Sequence, residues 1–187
     1  MASVAYYYFD FNEVAKQDRR GLLSSLLIQL CARSHHRYDI LSNLHAKHDT
    51  GLRQPSESDL LRCLGDVLQL PGEGKVYIIV DALEECPNAS GFPKTAREKV
   101  LDLFEELVDW DVPDLRICVT SRPEVDIQII LEPLVSHHIS LHDESGQKED
   151  IINYILHFVQ ADRKMKKWRP EDKQLVIDTL STKADGM

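Results

Sequence analysis

No long hydrophobic run interrupts this chain. The longest, Val4 to Phe9, falls far short of the roughly 20 apolar residues that a helix needs to cross a bilayer, so no membrane partner is expected. No charged-then-apolar leader opens the chain either; Met1 leads almost directly into strand-like sequence. Positive charge is scarce. The 22 Lys and Arg stand against 31 Asp and Glu, a net charge of −9, which argues against a chain built to coat nucleic acid or anionic lipid. There is no C-x-x-C pair. Cys31, Cys63, Cys86 and Cys118 are too dispersed to chelate zinc in pairs. Each lies in or beside an apolar segment, as reduced and mostly buried thiols of a cytoplasmic protein would. Internal repeats and low-complexity tracts are absent as well.

What is present is an ordinary globular composition, 43% hydrophobic and 28% charged over 187 residues, a length suited to one domain with a small appendage. Ala2 to Phe11 reads as a strand without alternation, as a strand covered on both faces would. A helix with Leu22, Leu23, Leu26, Leu27 and Leu30 on one stripe is predicted over 18–33, and a looser one over 38–48. Ser56-Glu57-Ser58-Asp59 resembles a capping box and opens a further helix. Val76 to Val80 is a buried-type strand ending on Asp81, and Leu115 to Thr120 is another, stopped by Ser121-Arg122-Pro123. Between them, Ala96 to Trp110 is helical, with Val100, Leu101, Phe104, Leu107 and Val108 inward. A short helix over 124–131 and a last strand from His138 to Leu141 complete an α/β pattern with a mainly parallel sheet. Beyond it only helices are expected, Glu149 to Gln160 and one from Pro170. The boundary is placed near 143–146, giving a first domain of 1–143 and a helical subdomain from 144.

Two strand ends carry the candidate chemistry. In open α/β sheets ligands lie beyond the carboxyl ends of the strands, so Asp81 is held rigidly where a site would be. Mg²⁺ takes one or two carboxylates with water and phosphate oxygens, which Asp81 can offer. Ala82 leaves room beside it, and Glu84 and Glu85 follow one bend later, placed to orient an attacking water. The plainer alternative is a solvated acidic turn. At the second strand end, Arg122 can read a terminal phosphate bidentately, or simply form a surface ion pair.

Other clusters point to structure. His45 and His48, and His138 and His142, have spacings compatible with a shared ligand, but no further donor joins them, and surface or capping roles are favoured. Arg163 to Arg169 is a basic run with Trp168, read as a solvated helix end favoured by the dipole. Cys86 follows two glutamates, which would raise its pKa and disfavour a nucleophile.

Taken in order, these segments resemble the nucleotide-binding core of NACHT-type (STAND class) P-loop NTPases, and within them the nephrocystin-3-like domains abundant in filamentous fungi. The resemblance rests on Tyr6-Tyr7-Tyr8-Phe9-Asp10-Phe11 with the helix ending Gln29-Leu30, and on Asp81-Ala82-Leu83-Glu84-Glu85-Cys86-Pro87 as the Walker B segment. It also rests on Thr120-Ser121-Arg122-Pro123 as the sensor, on Asp150 to Ile155, and on Lys183 to Met187. It implies a P-loop-type parallel sheet, ATP or GTP with Mg²⁺ at Asp81, water positioned by Glu84 and Glu85, and phosphate contacts from Thr120, Ser121 and Arg122. Glu84 departs from the family, where Asp is usual, and its carboxylate reaches one methylene further.

The Walker A loop that the resemblance calls for, G-x-x-x-x-G-K-[ST], is missing. The only Gly-Lys pair, Gly74-Lys75, has Gln69 five residues before Gly74, Val76 in place of the hydroxyl, and a strand after it. The family's loop and first strand would precede Met1, so the sequence reads as an internal fragment. Without backbone N–H groups to cradle phosphates, tight nucleotide binding and useful hydrolysis by this chain alone are not expected. The absent strand would leave Leu115 to Thr120 with an open edge, detach 138–141 and invite pairing with other chains. In relatives the partners are an N-terminal effector region, C-terminal ankyrin-type repeats, or further copies. Two readings stand: a piece of a nucleotide-controlled signalling switch, or a non-catalytic remnant that only packs against other chains.

Overall fold

The computed structural model describes residues 2–89, 93–140 and 145–183. They fall into two compact units, 1–135 and 136–187.

In the first unit the strands are β1 (Ser3–Tyr8), β2 (Val76–Asp81) and β3 (Leu115–Val119). They form one wholly parallel sheet in the order β1-β2-β3. The helices are α1 (Arg19–Cys31), α2 (His35–Lys47), α3 (Glu57–Leu68), α4 (Ala96–Asp109) and α5 (Val125–Leu131). Parallel neighbours require crossovers, which the helical connections between the strands supply.

Local sequence explains the helix starts. Asp18 caps α1 by accepting from the Gly21 N–H at 2.8 Å. Ser34 caps α2. Ser56 with Asp59, and Thr95 with Glu98, form full capping boxes on α3 and α4. Gly21 is required by close approach: a Cβ there would lie 2.4 Å from the Ala15 carbonyl oxygen and 2.8 Å from the Tyr7 hydroxyl.

The sheet is covered on one face within this unit. Ala5, Tyr7, Val76, Ile78 and Val80 are buried with the Leu stripe of α1 and with Leu64, Val67, Val100, Leu103 and Leu107. The opposite face carries Val4, Tyr6, Tyr8, Tyr77, Ile79 and Cys118, all exposed. The expectation that the first strand is covered on both faces is therefore corrected. A run of tyrosines and valine shows no polar alternation because tyrosine, with its polar tip, tolerates a wet face as well as a dry one. A second correction concerns α4: Val108 is exposed and Leu103 is buried. A third is the strand expected over 138–141. Residues 138–140 adopt no strand, and Leu141 lies outside the described residues. A strand exists only by pairing, and residues 138–140 pair with no strand among the described residues.

The two edges of the sheet differ. On β1 the Gln29 side chain takes the place of a neighbouring strand. Its Oε1 accepts from the Tyr6 N–H at 3.1 Å and its Nε2 donates to the Tyr6 carbonyl at 2.7 Å. A groove of about 280 Å³ lined by Tyr6, Tyr8, Lys16, Ser25 and Gln29 runs beside it. On β3 no neighbour lies on the outer side among the described residues.

A buried arginine ties the start of β1 to the turn before β2. Arg37, 1% exposed, donates from Nη1 to Ser3 Oγ at 2.8 Å, and its Nε lies 3.8 Å from Glu73. A hydrogen bond from Ser34, with His36 and Arg37 nearby, holds the Glu73 carboxyl below the usual range.

The second unit contains α6 (Ser145–Ala161) and α7 (Pro170–Lys183), which pack on each other. Pro170 occupies the first position of α7, where its missing N–H costs nothing. Ile155 and Val159 are buried, while Tyr154 and Phe158 stack at 6.2 Å with both rings exposed. Of the basic run, Met165–Lys167 forms a short turn and Arg169 pairs with Asp172 at 3.0 Å. Among the described residues no helix is long and apolar enough to cross a membrane.

Three of the four thiols are buried, as their apolar neighbours predict, and Cys118 is exposed. Burial pushes Cys31 and Cys63 up to about 11 and Cys86 up to about 12, from an ordinary 9.0. At Cys86 the cause is burial, opposed by Arg97, rather than the two glutamates. Because the folded thiols stay neutral where unfolded ones ionise, their contribution is intact below pH 9 and is lost as pH rises toward 11 and 12. Urea unfolding at pH 8 and pH 10 should show stability falling by up to about 1.4 kcal/mol per pH unit for each thiol. At pH 8 a thiol reagent should label at most one cysteine per folded chain; a second rapidly labelled thiol contradicts the core described.

Candidate functional site

β2 and β3 run side by side in the register Val76↔Leu115 to Val80↔Val119. Their carboxyl ends therefore arrive at one rim. Asp81 ends β2 and Thr120 follows β3. The Thr120 hydroxyl donates to the Asp81 carboxylate in a short hydrogen bond and accepts from the Ala82 N–H at 3.2 Å. The ladder continues past the strands: Thr120 N–H donates to the Val80 carbonyl at 2.9 Å and Leu83 N–H to the Thr120 carbonyl at 3.1 Å. Between these bonds Ala82 is held at φ 55, ψ 46, a left-handed conformation that costs a non-glycine residue about 1–2 kcal/mol. A small side chain meets that constraint with least strain.

Leu83–Glu85 form a single tight turn. Glu84, mostly covered, accepts from the Arg122 N–H at 3.2 Å, and its other oxygen lies 3.4 Å from Arg122 Nε. The Arg122 side chain is 80% exposed. So open an ion pair contributes at most about 1 kcal/mol, and the guanidinium is free to exchange Glu84 for another anion. Glu85 turns the other way and accepts from the Phe11 N–H at 3.2 Å, after β1. Ser121 donates its hydroxyl to the Arg122 carbonyl at 2.8 Å. Of the six candidate residues, then, Asp81, Thr120, Glu84 and Arg122 meet at the rim. Glu85 and Ser121 are engaged beside it.

Sequence reasoning passed over Arg97, which holds this rim in place. It is 7% exposed. Its Nε donates to the Cys86 carbonyl at 2.9 Å and its Nη2 to the Glu84 carbonyl at 2.5 Å. Its Nη1 meets Asp126 at 3.1 Å, with Glu124 at 3.8 Å. One guanidinium thus fastens the acidic turn to the N-terminus of α5, which follows Arg122. Asn88 donates to Asp126 at 2.9 Å and accepts from the Thr95 hydroxyl at 3.0 Å, closing the loop onto the α4 cap. A signal was there to read. Arg97 precedes Val100 and Leu101 by three and four residues, so it continues the inward stripe of α4. A charge on such a stripe must find partners.

The donor set suits a hard cation in part. One carboxylate with an adjoining hydroxyl at an open rim leaves the remaining positions to water, as Mg²⁺ prefers. The phosphate side has no cradle among these residues. The N–H groups of Ala82 and Leu83 already point at Thr120. Gly74-Lys75 precedes β2, at the opposite end of the sheet and about 20 Å from Asp81 at the usual rise per strand residue. Among the described residues no group of three or more His, Cys, Asp or Glu could hold a metal ion. Of the histidines, His36 pairs with Glu73 at 3.2 Å and His48 lies 3.6 Å from Asp59.

Replacing Arg97 by Ala strands two carbonyls and Asp126 and should cost about 3 kcal/mol in urea unfolding. Arg97→Lys should recover only part, since an ammonium cannot reproduce the fork. Amide exchange at Leu83 and Cys86 should accelerate in both variants. Unchanged exchange there would show that the turn does not depend on Arg97.

Among known protein families, the chain matches the one described as Nephrocystin 3, N-terminal, over residues 1–122. That span takes in all three strands and every candidate residue from Asp81 to Arg122. Comparison with curated proteins and with solved structures gives no match. The matched span is about two thirds of the 187 residues, and the chain belongs to the nephrocystin-3 N-terminal family.

Proposed function

We propose that the rim of Asp81, Thr120, Glu84 and Arg122 is the metal-and-sensor half of a NACHT-type nucleotide site, and that the chain is part of a nucleotide-controlled signalling switch of P-loop NTPase type. The observation that carries this reading is the Asp81–Thr120 contact at the carboxyl ends of adjacent parallel strands, where ligands of such sheets bind. In this reading the Asp81 carboxylate would hold Mg²⁺, which would neutralise phosphate charge. Thr120 orients that carboxylate. Arg122 leaves Glu84 for the terminal phosphate of ATP or GTP, and the released Glu84, with Glu85, is placed to orient water. Residues 1–143 then belong to an NTPase core and 144–187 to a helical subdomain, working in the cytoplasm beside effector and repeat regions.

Among the described residues this rim holds no phosphate cradle, so on its own the chain binds nucleotide weakly and does not hydrolyse it. That same feature favours the second reading, a non-catalytic interaction module. Its acids serve the fold alone: Glu84 toward Arg122, Glu85 toward Phe11, Asp81 toward Thr120.

Nuclear magnetic resonance titration with MgATP separates the two. The expected result is shifts confined to residues 81–86 and 119–123 with a Kd above about 1 mM, lost in Asp81→Asn and in Arg122→Ala, with no phosphate release above buffer. Absence of rim shifts at about 10 mM favours the interaction module. Micromolar affinity or turnover by the chain alone overturns the half-site.

A further inference from the structure

Residues 120–126 are fastened to the acidic turn at three points, and the middle one is the exchangeable one. At the near end Thr120 bonds to Val80, Asp81, Ala82 and Leu83. At the far end buried Arg97 holds Asp126 at 3.1 Å, with Glu124 at 3.8 Å. Between them the Glu84 carboxylate accepts from the Arg122 N–H at 3.2 Å and lies 3.4 Å from its solvent-exposed guanidinium. Glu84 is bound a second time, because its carbonyl accepts from Arg97 Nη2 at 2.5 Å. One residue therefore touches both arginines, and through Arg97 it is connected to α5.

The charges here are unevenly matched. Three carboxylates, Glu84, Glu124 and Asp126, share two guanidiniums. Glu84 is the most covered of the three; Asp126 is half-exposed and Glu124 more open still. A covered carboxylate attracts a cation more strongly than a wet one, because less water screens it, and it costs more when left alone. Arg97 nevertheless places its Nη1 on Asp126, since Arg122 already neutralises Glu84. Asp126 has a further donor, the Asn88 amide at 2.9 Å. Among its contacts Glu84 has no cation besides Arg122 and Arg97.

We propose that Arg97 is a positioning residue that relays the occupancy of the rim to α5. With Arg122 on Glu84, Arg97 stays on Asp126 and anchors the first turn of α5. When an anion takes the Arg122 guanidinium, the Glu84 carboxylate draws Arg97 away from Asp126. One carboxylate oxygen suffices for this, which leaves the other for water. The start of α5 is then held by Asn88 and by the burial of Ile127, and its first turn loosens. The two arrangements differ in one ion pair, the differential contact that a coupled equilibrium requires. Since α5 is the last helix of the first unit, the response arrives where the chain leaves that unit. The anion rests on the nucleotide reading; the connection from Glu84 to α5 does not.

Native-state amide exchange tests the connection without nucleotide. The Gln128 N–H donates to the Glu124 carbonyl at 3.0 Å across the first turn of α5 and reports its opening. In Arg122→Ala, exchange at Gln128 should accelerate at least about fivefold, the low end of ordinary coupling between sites. The Arg122 side chain lies in solvent, so the fold tolerates its removal. Adding Glu84→Gln should return Gln128 to the native rate, because a neutral amide no longer draws Arg97. A merely structural loss at Arg122 would accelerate both variants alike. In the native chain MgATP should then shift α5 amides together with those of the rim, and in Glu84→Gln it should shift the rim alone. Unchanged exchange in Arg122→Ala, equal acceleration with Glu84→Gln added, or native rim shifts without α5 shifts overturns the relay. Absence of rim shifts beside the expected exchange rates upholds the connection and overturns the nucleotide reading alone.

Discussion

Everything at the rim depends on the alignment of β2 with β3. The two strands pair residue for residue from Val76↔Leu115 to Val80↔Val119, and Thr120 extends that ladder beyond both strand ends through Val80 and Leu83. Because side chains alternate with a period of two, a slip of one residue would turn Val76, Ile78 and Val80 out of the core and remove Asp81 from Thr120 at the same stroke. The burial of three aliphatic side chains, about 1.5–3 kcal/mol each, thus fixes the position of an acid that itself contributes little to the core. Packing sets the geometry, and the rim inherits it.

Charges inside the fold act as fasteners between elements distant in sequence. Arg97 joins the acidic turn to α5, and Arg37 joins α2 to the start of β1 and to the turn before β2. Each is a guanidinium, whose planar fork reaches several acceptors at once and carries its charge with a weaker hydration shell than an ammonium. Their partners are mostly backbone carbonyls and carboxylates on loops. Together with the full burial of Leu83 and Cys86 in the core, this explains how a segment as irregular as 82–88 holds one conformation. Arg122, the other arginine at the rim, differs in kind: it lies in solvent and makes a single exchangeable ion pair.

Much of the first unit was legible in the sequence. The capping box at Ser56, the Leu stripe of α1 and the aliphatic strand ending on Asp81 each state a local preference that agrees with the fold. The α/β class and the meeting of Asp81 with the segment after β3 follow from those. What was not legible depends on what lies opposite. The Tyr6–Tyr8 run cannot disclose that one face stays wet, because tyrosine suits either side. Residues 138–140 have strand-like composition, but a strand exists only by pairing. Arg97 was overlooked since a lone charge near a helix start ordinarily reads as solvated. Only its phase relative to Val100 and Leu101 distinguishes it.

The Gln29 amide bound to the Tyr6 backbone has an implication for α1 itself. Asp18 and Gln29 are separated by close to three helical turns, and both must face inward, one at the helix start and one against β1. The rotational phase of α1 is thereby pinned at both ends. Deleting or inserting one residue between them would swing Gln29 by about 100° around the helix axis, unplugging β1 and turning the Leu stripe aside together. The length of this segment is under tighter constraint than its composition, and aliphatic exchange within it should be far better tolerated than any change in residue count.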